Sequence, residues 1–94
     1  MAVEIAHPAT IRIDKLIWYL RFAKSRSLAQ AIVEKGRIRL NGHRITKPGH
    51  LVRTGDILTL MIQDEVQAIR ILTLPTRRGP ASEAASCWEP ALAQ

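Results

Sequence analysis

The side chains whose type and spacing suggest chemistry in this sequence are its lysines and arginines, which are concentrated in one stretch. The 94 residues include 14 Lys and Arg against 8 Asp and Glu, a formal net charge of +6. Between Arg12 and Arg53 lie eleven bases and two acids, Asp14 and Glu34, a net charge of +9; the remainder has three bases and six acids, or −3. Ammonium and guanidinium groups at this density bind phosphates, so the pattern predicts a polyanionic partner such as a nucleic acid.

Other reactive side chains lack the partners that catalysis or metal binding requires. The single cysteine, Cys87, has no accompanying base, and the three histidines show no metal-ligand spacing with it. Ser25 and Ser27 have no neighbouring general base and are interpreted as helix caps. We therefore expect no enzyme activity, no cofactor and no bound metal.

Length and composition indicate one small globular domain, since the chain has 94 residues with 47% hydrophobic and 23% charged side chains. No apolar run approaches the roughly 18 residues of a membrane helix, and the first eight residues do not form a signal peptide pattern. A lone cysteine fits a reducing compartment, so a cytoplasmic protein is expected. The oligomeric state is left open, and a monomer is assumed.

Two short helices are predicted first along the chain. Apolar residues at 13, 16, 17 and 20 have the i, i+3, i+4, i+7 spacing of one helix face. The second helix begins at a cap on Ser27, with Gln30 completing a capping box, or alternatively at a cap on Ser25, and it stops at Gly36.

After Gly36 the hydrophobic period changes to two. Apolar residues at 38 and 40 alternate with arginines, Asn41-Gly42 predicts a tight hairpin, and further strands are predicted over 57–62 and 66–74. Residues 1–10 are predicted to be a flexible arm, 11–74 the domain and 75–94 an irregular tail. The predicted fold class is α+β, with two N-terminal helices packed on a small antiparallel sheet of about four strands.

Bases from three successive elements are expected to converge on one phosphate backbone, as positioning contacts that read little sequence. The N-terminus of the second helix is itself favourable for anions. Asp14 is interpreted as a helix-dipole or arginine-pairing residue, and Asn41 as a turn residue with φ > 0 before it is a ligand. The candidates are Arg12, Lys15 and Arg21 in the first helix, Lys24, Ser25 and Arg26 in the turn, and Arg37, Arg39, Asn41 and Arg44 in the hairpin.

Three motifs closely resemble the S4-type RNA-binding domain: RIDKLIWYLRFAKSRSLAQAI at residues 12–32, GRIRLNG at 36–42 and Lys47-Pro48. The resemblance covers about residues 11–62. It implies two helices on a small antiparallel sheet, with RNA bound along the helix pair and the first hairpin. Trp18 either stacks on a base or is a half-buried helix residue. By position, the resemblance implies RNA contacts from Arg12, Lys15, Trp18, Arg21, Lys24, Ser25, Arg26, Lys35, Asn41 and Lys47.

The function that the resemblance implies is non-catalytic binding of structured RNA, in particular ribosomal RNA of the large subunit, in a stress or ribosome-rescue role. One alternative is a module that brings an RNA-modifying enzyme to its RNA. Another is a DNA-binding protein, because two helices and a turn superficially resemble a helix-turn-helix, although the following strands and arginine-rich hairpin fit RNA better. A membrane partner is not expected, because the apolar stripe of the first helix is needed for the core.

Overall fold

The computed structural model of the protein describes residues 9–91. Within this range the chain forms three helices and seven strands. In chain order they are β1 (Ile11–Arg12), α1 (Ile13–Tyr19), α2 (Arg26–Glu34), β2 (Ile38–Leu40), β3 (His43–Ile45), β4 (Leu51–Val52), β5 (Ile57–Ile62), β6 (Glu65–Ile71), α3 (Ala81–Ala85) and β7 (Trp88–Pro90).

The main sheet has five antiparallel strands in the order β3-β2-β5-β6-β7, and β1 pairs with β4 in a separate two-stranded ribbon. Both tight hairpins use residues in the left-handed region. Asn41 and Gly42 have φ of 51° and 85°, and Gln63 and Asp64 have φ of 50° and 67°. These turns match the right-handed twist of the strands they join. The predicted α+β class and the first hairpin are confirmed, with one strand more in the main sheet than expected.

The hydrophobic core lies between the helix pair and one face of the main sheet. Ile13, Leu16 and Ile17 on α1 are fully buried, as the helical spacing predicted, and they join Ile38 and Leu58 from the sheet in one cluster. Burying each such side chain contributes about 1.5–3 kcal/mol. Because strand side chains alternate, the residues between the buried ones point to the opposite, outer face of the sheet.

The segment after residue 74 corrects the expectation of an irregular tail, because it contains α3 and β7. β7 pairs with β6 through Ile71 and Trp88, and the Trp88 ring lies 5.6 Å from that of Phe22. Cys87 is buried, and its carbonyl accepts hydrogen bonds from the amides of Leu72 (2.8 Å) and Thr73 (3.2 Å). A three-residue strand ending in proline has no recognisable period, so only its partner β6 defines it. Most of the predicted N-terminal arm, residues 1–8, lies outside the described range, as do residues 92–94.

Candidate nucleic-acid interface

Asp14 is the central residue of the surface where α1 and α2 meet. Among the described residues it is the one charged side chain that is buried. Its Oδ2 accepts hydrogen bonds from Arg12 Nη2 (3.1 Å), Gln30 Nε2 (3.0 Å) and Arg26 Nε (3.4 Å). Its Oδ1 accepts from Arg12 Nε (3.2 Å) and the Lys15 amide (2.8 Å). The carboxylate is therefore fully hydrogen-bonded and holds two guanidinium groups.

The pKa of Asp14 reflects two opposing effects. Burial raises the pKa, but the hydrogen bonds from Gln30, Arg12 and the Lys15 amide, together with the charge of Arg26, lower it by more. The pKa therefore lies below the usual 3.8. Asp14 is consequently ionised at neutral pH. Both interpretations that the sequence allowed are confirmed, since Asp14 lies in the first turn of α1 and also pairs with Arg12 and Arg26.

The two arginines remain accessible while Asp14 holds them. Their side chains are 48% and 39% exposed, for Arg12 and Arg26 respectively. A guanidinium has five N–H donors, and Asp14 occupies two from Arg12 and one from Arg26. The remaining donors can form the charge-assisted contacts typical of phosphate recognition. We call Arg12, Asp14, Arg26 and Gln30 the arginine clamp.

A backbone turn fixes the position of Arg12. The carbonyls of His50 and Pro48 accept the first amides of α1, those of Ile13 at 2.8 Å and Asp14 at 3.2 Å. Gly49 lies beneath the guanidinium, since a Cβ there would stand 3.7 Å from Arg12 Cζ. This packing places the turn that contains the exposed Lys47 at the same end of α1 as the clamp.

The start of α2 decides between the two caps that the sequence allowed. Ser25 Oγ accepts the Leu28 amide at 3.1 Å, which makes Ser25 the N-cap. Gln30, considered as a capping-box partner of Ser27, instead donates to Asp14. Lys24 is exposed immediately before this cap. The cap therefore leaves Arg26 as the first residue of α2, next to the clamp.

Lys15 lies beside two aromatic residues of α1, Trp18 and Tyr19, whose side chains pack against the core cluster. Lys15 Nζ stands 5.4 Å from the centre of the Tyr19 ring, a cation–π contact that holds its ammonium group near the helix. The rings of Trp18 and Tyr19 are 5.5 Å apart and tilted by 40°, and both are half-buried. Trp18 is thus the half-buried helix residue that the sequence allowed, with part of its ring still exposed.

Two predicted contact residues form internal hydrogen bonds. Arg21 Nε donates to the Gly79 carbonyl at 2.7 Å, which attaches it to the C-terminal segment. Asn41 has a positive φ, its Nδ2 donates to Asp56 Oδ1 (3.1 Å), and its Oδ1 accepts the Ile57 amide (2.9 Å). Asn41 therefore joins two turns, as expected of a turn residue.

The remaining predicted bases do not all face the clamp. Arg39 and Arg44 occupy directly opposed positions on β2 and β3, on the outer face of the sheet. Like charges in this register repel each other. Lys24, Lys35 and Arg37 instead line a groove along α2. The predicted bases are thus divided among separate surfaces: the clamp, the groove along α2, and the outer face of the sheet, where Arg39 and Arg44 lie.

Two contributors were missed by the sequence analysis. Gln30 was interpreted only as a capping residue, whereas it donates to Asp14 across the helix pair. Arg78 Nε donates to the Trp18 carbonyl at 3.0 Å and so binds the C-terminal end of α1. The isolation of Asp14 among bases was the available signal for the clamp; no sequence pattern indicated the role of Arg78.

The family model of the S4 domain matches residues 11–58, and the chain belongs to this family. It is 37% identical over 79 residues to heat shock protein 15 of Escherichia coli strain K12, covering 84% of this chain and 59% of that protein. It is 40% identical over 50 residues to small ribosomal subunit protein uS4 of Gloeobacter violaceus, covering 53% and 24%. The chain thus spans about three fifths of the length of its heat shock protein 15 relative.

A solved structure of Vibrio cholerae heat shock protein 15, described as trimeric, superposes with a TM-score of 0.82 at 35% identity, covering 88% of this chain and 83% of that one. The match confirms the predicted fold, and membership of the S4 family supports an RNA-binding role. Within residues 9–91, no three His, Cys, Asp or Glu side chains are grouped to hold a metal ion. None of the helices described is long and apolar enough to cross a membrane.

Proposed function

We propose that this protein binds structured ribosomal RNA through the arginine clamp and the basic residues beside it, without catalysing a reaction. The observation that supports this most directly is that a buried carboxylate holds two half-exposed guanidinium groups at the junction of two helices. A surface arginine pair that needed only solubility would require no such support. Fixing the two groups in advance lowers the entropy lost when a phosphate binds.

The partner is ribosomal RNA of the large subunit, bound in the cytoplasm during stress or ribosome rescue. Support comes from similarity to a heat shock protein on one side and a ribosomal protein on the other. The first name supports a role in stress, and the second, that of a small-subunit protein, supports a ribosomal partner without favouring the large subunit. The RNA contacts are assigned to Arg12, Lys15, Trp18, Lys24, Ser25, Arg26, Lys35, Arg37 and Lys47.

The kind of groups at this surface supports the proposal that the protein catalyses no reaction. Guanidinium and ammonium groups donate hydrogen bonds and keep their protons near neutral pH. The carboxylate among them, Asp14, is buried beneath five donated hydrogen bonds and has a lowered pKa. Such a surface binds phosphates but offers no general base.

Fluorescence anisotropy with a structured ribosomal RNA fragment tests the site. Lys24→Ala with Arg26→Ala is expected to weaken binding by about 2–3 kcal/mol, since each charge-assisted contact contributes about 1.5 kcal/mol. Arg70→Ala with Arg77→Ala, an equal change of charge elsewhere, is expected to cost clearly less. Equal losses would show that net charge alone determines affinity and would refute the site.

The choice of ribosomal partner has a separate test. Co-sedimentation with purified large and small ribosomal subunits is expected to retain the protein on large subunits, with the double variant at Lys24 and Arg26 released at lower salt. Because phosphate contacts release counterions, a plot of log affinity against log salt concentration is expected to have a negative slope of roughly 0.7–0.9 for each phosphate contact. Retention on small subunits alone contradicts the assignment to the large subunit.

A further inference from the structure

A groove with an apolar floor and a basic rim runs along the exposed side of α2. Its volume is about 420 Å³. Phe22, Leu28 and Ile32 contribute apolar surface, while Lys24, Lys35 and Arg37 contribute cations. We call these six residues the α2 groove.

Leu28 is the unusual residue of the groove. Its side chain is 51% exposed, although Ala29 and Val33 on the same helix are fully buried and complete the packing against the core. Phe22 and Ile32 beside it are only half-buried. Apolar surface that a fold leaves open together with neighbouring charged residues is typical of an interaction site.

The rim of the groove is available for anions. None of Lys24, Lys35 and Arg37 is in an ion pair with a carboxylate of the described residues. Lys24 precedes the Ser25 cap of α2, and Lys35 follows the last residue of that helix, so the two lysines stand at opposite ends of α2. Cations at both ends of an apolar floor match a nucleotide chain whose base is turned toward the protein and whose phosphates lie on either side.

We propose that the α2 groove binds an unpaired nucleotide of the RNA, a point that rests on the proposed function and refines its substrate. The base packs on Leu28, Phe22 and Ile32, and the flanking phosphates contact Lys24, Lys35 and Arg37. In a regular RNA helix the bases are stacked and hidden, so an apolar floor would have nothing to contact. The groove therefore makes the protein selective for RNA helices that contain a bulged or looped-out nucleotide.

The groove and the arginine clamp lie close enough in the chain to act on one RNA. Lys24 lines the groove, and Arg26, two residues later, belongs to the clamp. The clamp would hold the phosphate backbone of a helix while the groove receives a base displaced from it. Stacking or packing of a base contributes selectivity for RNA shape, whereas the clamp contacts contribute affinity for any phosphate backbone.

The test compares two ribosomal RNA helices, one fully paired and one with a single bulged nucleotide. The base of the bulged nucleotide is 2-aminopurine, whose fluorescence reports the surroundings of that base. The intact protein is expected to bind the bulged helix about tenfold more tightly than the paired one, and to change the 2-aminopurine fluorescence. Leu28→Ser is expected to abolish that preference without altering affinity for the paired helix. Met61→Ser is the matched control, since Met61 is 59% exposed on the outer face of the sheet.

The outcomes separate this proposal from the proposed function. Equal binding of the two helices by the intact protein, or equal weakening of both by Leu28→Ser, overturns the nucleotide site while leaving RNA binding established. Failure to bind either helix contradicts the proposed function itself. If Leu28→Ser leaves the preference for the bulged helix intact, the groove serves another partner and the inference is wrong. Circular dichroism of both variants confirms that they are folded.

Discussion

Replacing Asp14 by asparagine gives opposite results under two views of this surface. If affinity for RNA follows net charge, removing one negative charge strengthens binding. If the clamp works by holding Arg12 and Arg26 in position, removing the carboxylate weakens binding. The substitution changes one oxygen to an NH₂ group and leaves the size of the side chain nearly unchanged, so the sign of the effect decides between the two views.

The magnitude follows from the contacts at Asp14. The side-chain oxygen of an asparagine can replace Oδ1 and keep the hydrogen bond from the Lys15 amide. The NH₂ group of the asparagine would face the three donors that now share Oδ2, from Arg12, Arg26 and Gln30. Each lost bond is worth about 1 kcal/mol, and water can partly replace those of the half-exposed guanidinium groups. We therefore expect the free energy of unfolding to fall by about 2 kcal/mol.

The effect on RNA affinity combines two terms. Ordering a side chain at an interface costs about 0.5–1.5 kcal/mol, so losing the fixed positions of two arginines costs about 2 kcal/mol. At an effective dielectric constant of about 20, the charge of Asp14 about 7 Å beneath a phosphate costs about 2.4 kcal/mol, which salt of physiological strength screens to about 1 kcal/mol, so removing it favours binding by that amount. The net expectation is a loss of about 1 kcal/mol, or about fivefold weaker binding.

Fluorescence anisotropy at one salt concentration measures the affinity, and urea unfolding confirms that the variant is folded under the conditions used. Glu34→Gln is the matched control, because Glu34 is exposed, lies in the same basic stretch and loses the same charge. It is expected to bind RNA as tightly as the unmodified protein or slightly more tightly. If Asp14→Asn also binds more tightly, the clamp has no positioning role and the reasoning is refuted.

Two further predictions concern stability. The pKa of Asp14 lies below the usual 3.8, so its ionised form stabilises the fold above that pH, and the stabilisation is lost as pH falls through the lowered value. Urea unfolding from pH 6 to pH 2.5 is therefore expected to show a free energy of unfolding that declines below about pH 4. The decline is expected to be smaller in Asp14→Asn. Asn41→Ala is expected to lower the free energy of unfolding by about 2 kcal/mol through its positive φ and two lost hydrogen bonds, with RNA affinity changed less than about threefold. Glycine tolerates that φ, so Asn41→Gly is expected to be about 1 kcal/mol more stable than Asn41→Ala in the same unfolding experiment. A large loss of RNA affinity in folded Asn41→Gly would instead make Asn41 a direct RNA ligand.

Local chemistry accounts for the parts of the fold that the sequence analysis predicted. The helical spacing of apolar residues places Ile13, Leu16 and Ile17 on one side of α1 in any environment that offers a core. Asn41-Gly42 adopts positive φ because these two residues tolerate it best, which defines the first hairpin. The charge of the basic stretch is a property of composition alone. These features depend on neighbours within a few residues, so a sequence pattern is enough to indicate them.

The strand β7 and the role of Arg21 depended on contacts that no local pattern encodes. β7 exists because β6 offers an unpaired edge, and its partner lies 17 positions earlier at the Ile71–Trp88 pair. Arg21 looked like an outward base of α1, but the C-terminal segment brings the Gly79 carbonyl within 2.7 Å of its Nε. Hydrogen bonds between residues this far apart follow from how the chain folds back, not from spacing.

The division of the bases among separate surfaces was likewise decided by the tertiary structure. Composition placed Arg26 and Arg39 in one basic stretch, with no means to separate them. Packing of the helices on one face of the sheet leaves Arg39 on the other face, while Arg26 reaches Asp14 across the helix pair. The sequence by itself thus determined the two N-terminal helices, the first hairpin and the charge of the basic stretch. Only burial of Asp14 between two helices determined which bases are held together, because a buried carboxylate must be hydrogen-bonded and selects the donors within its reach.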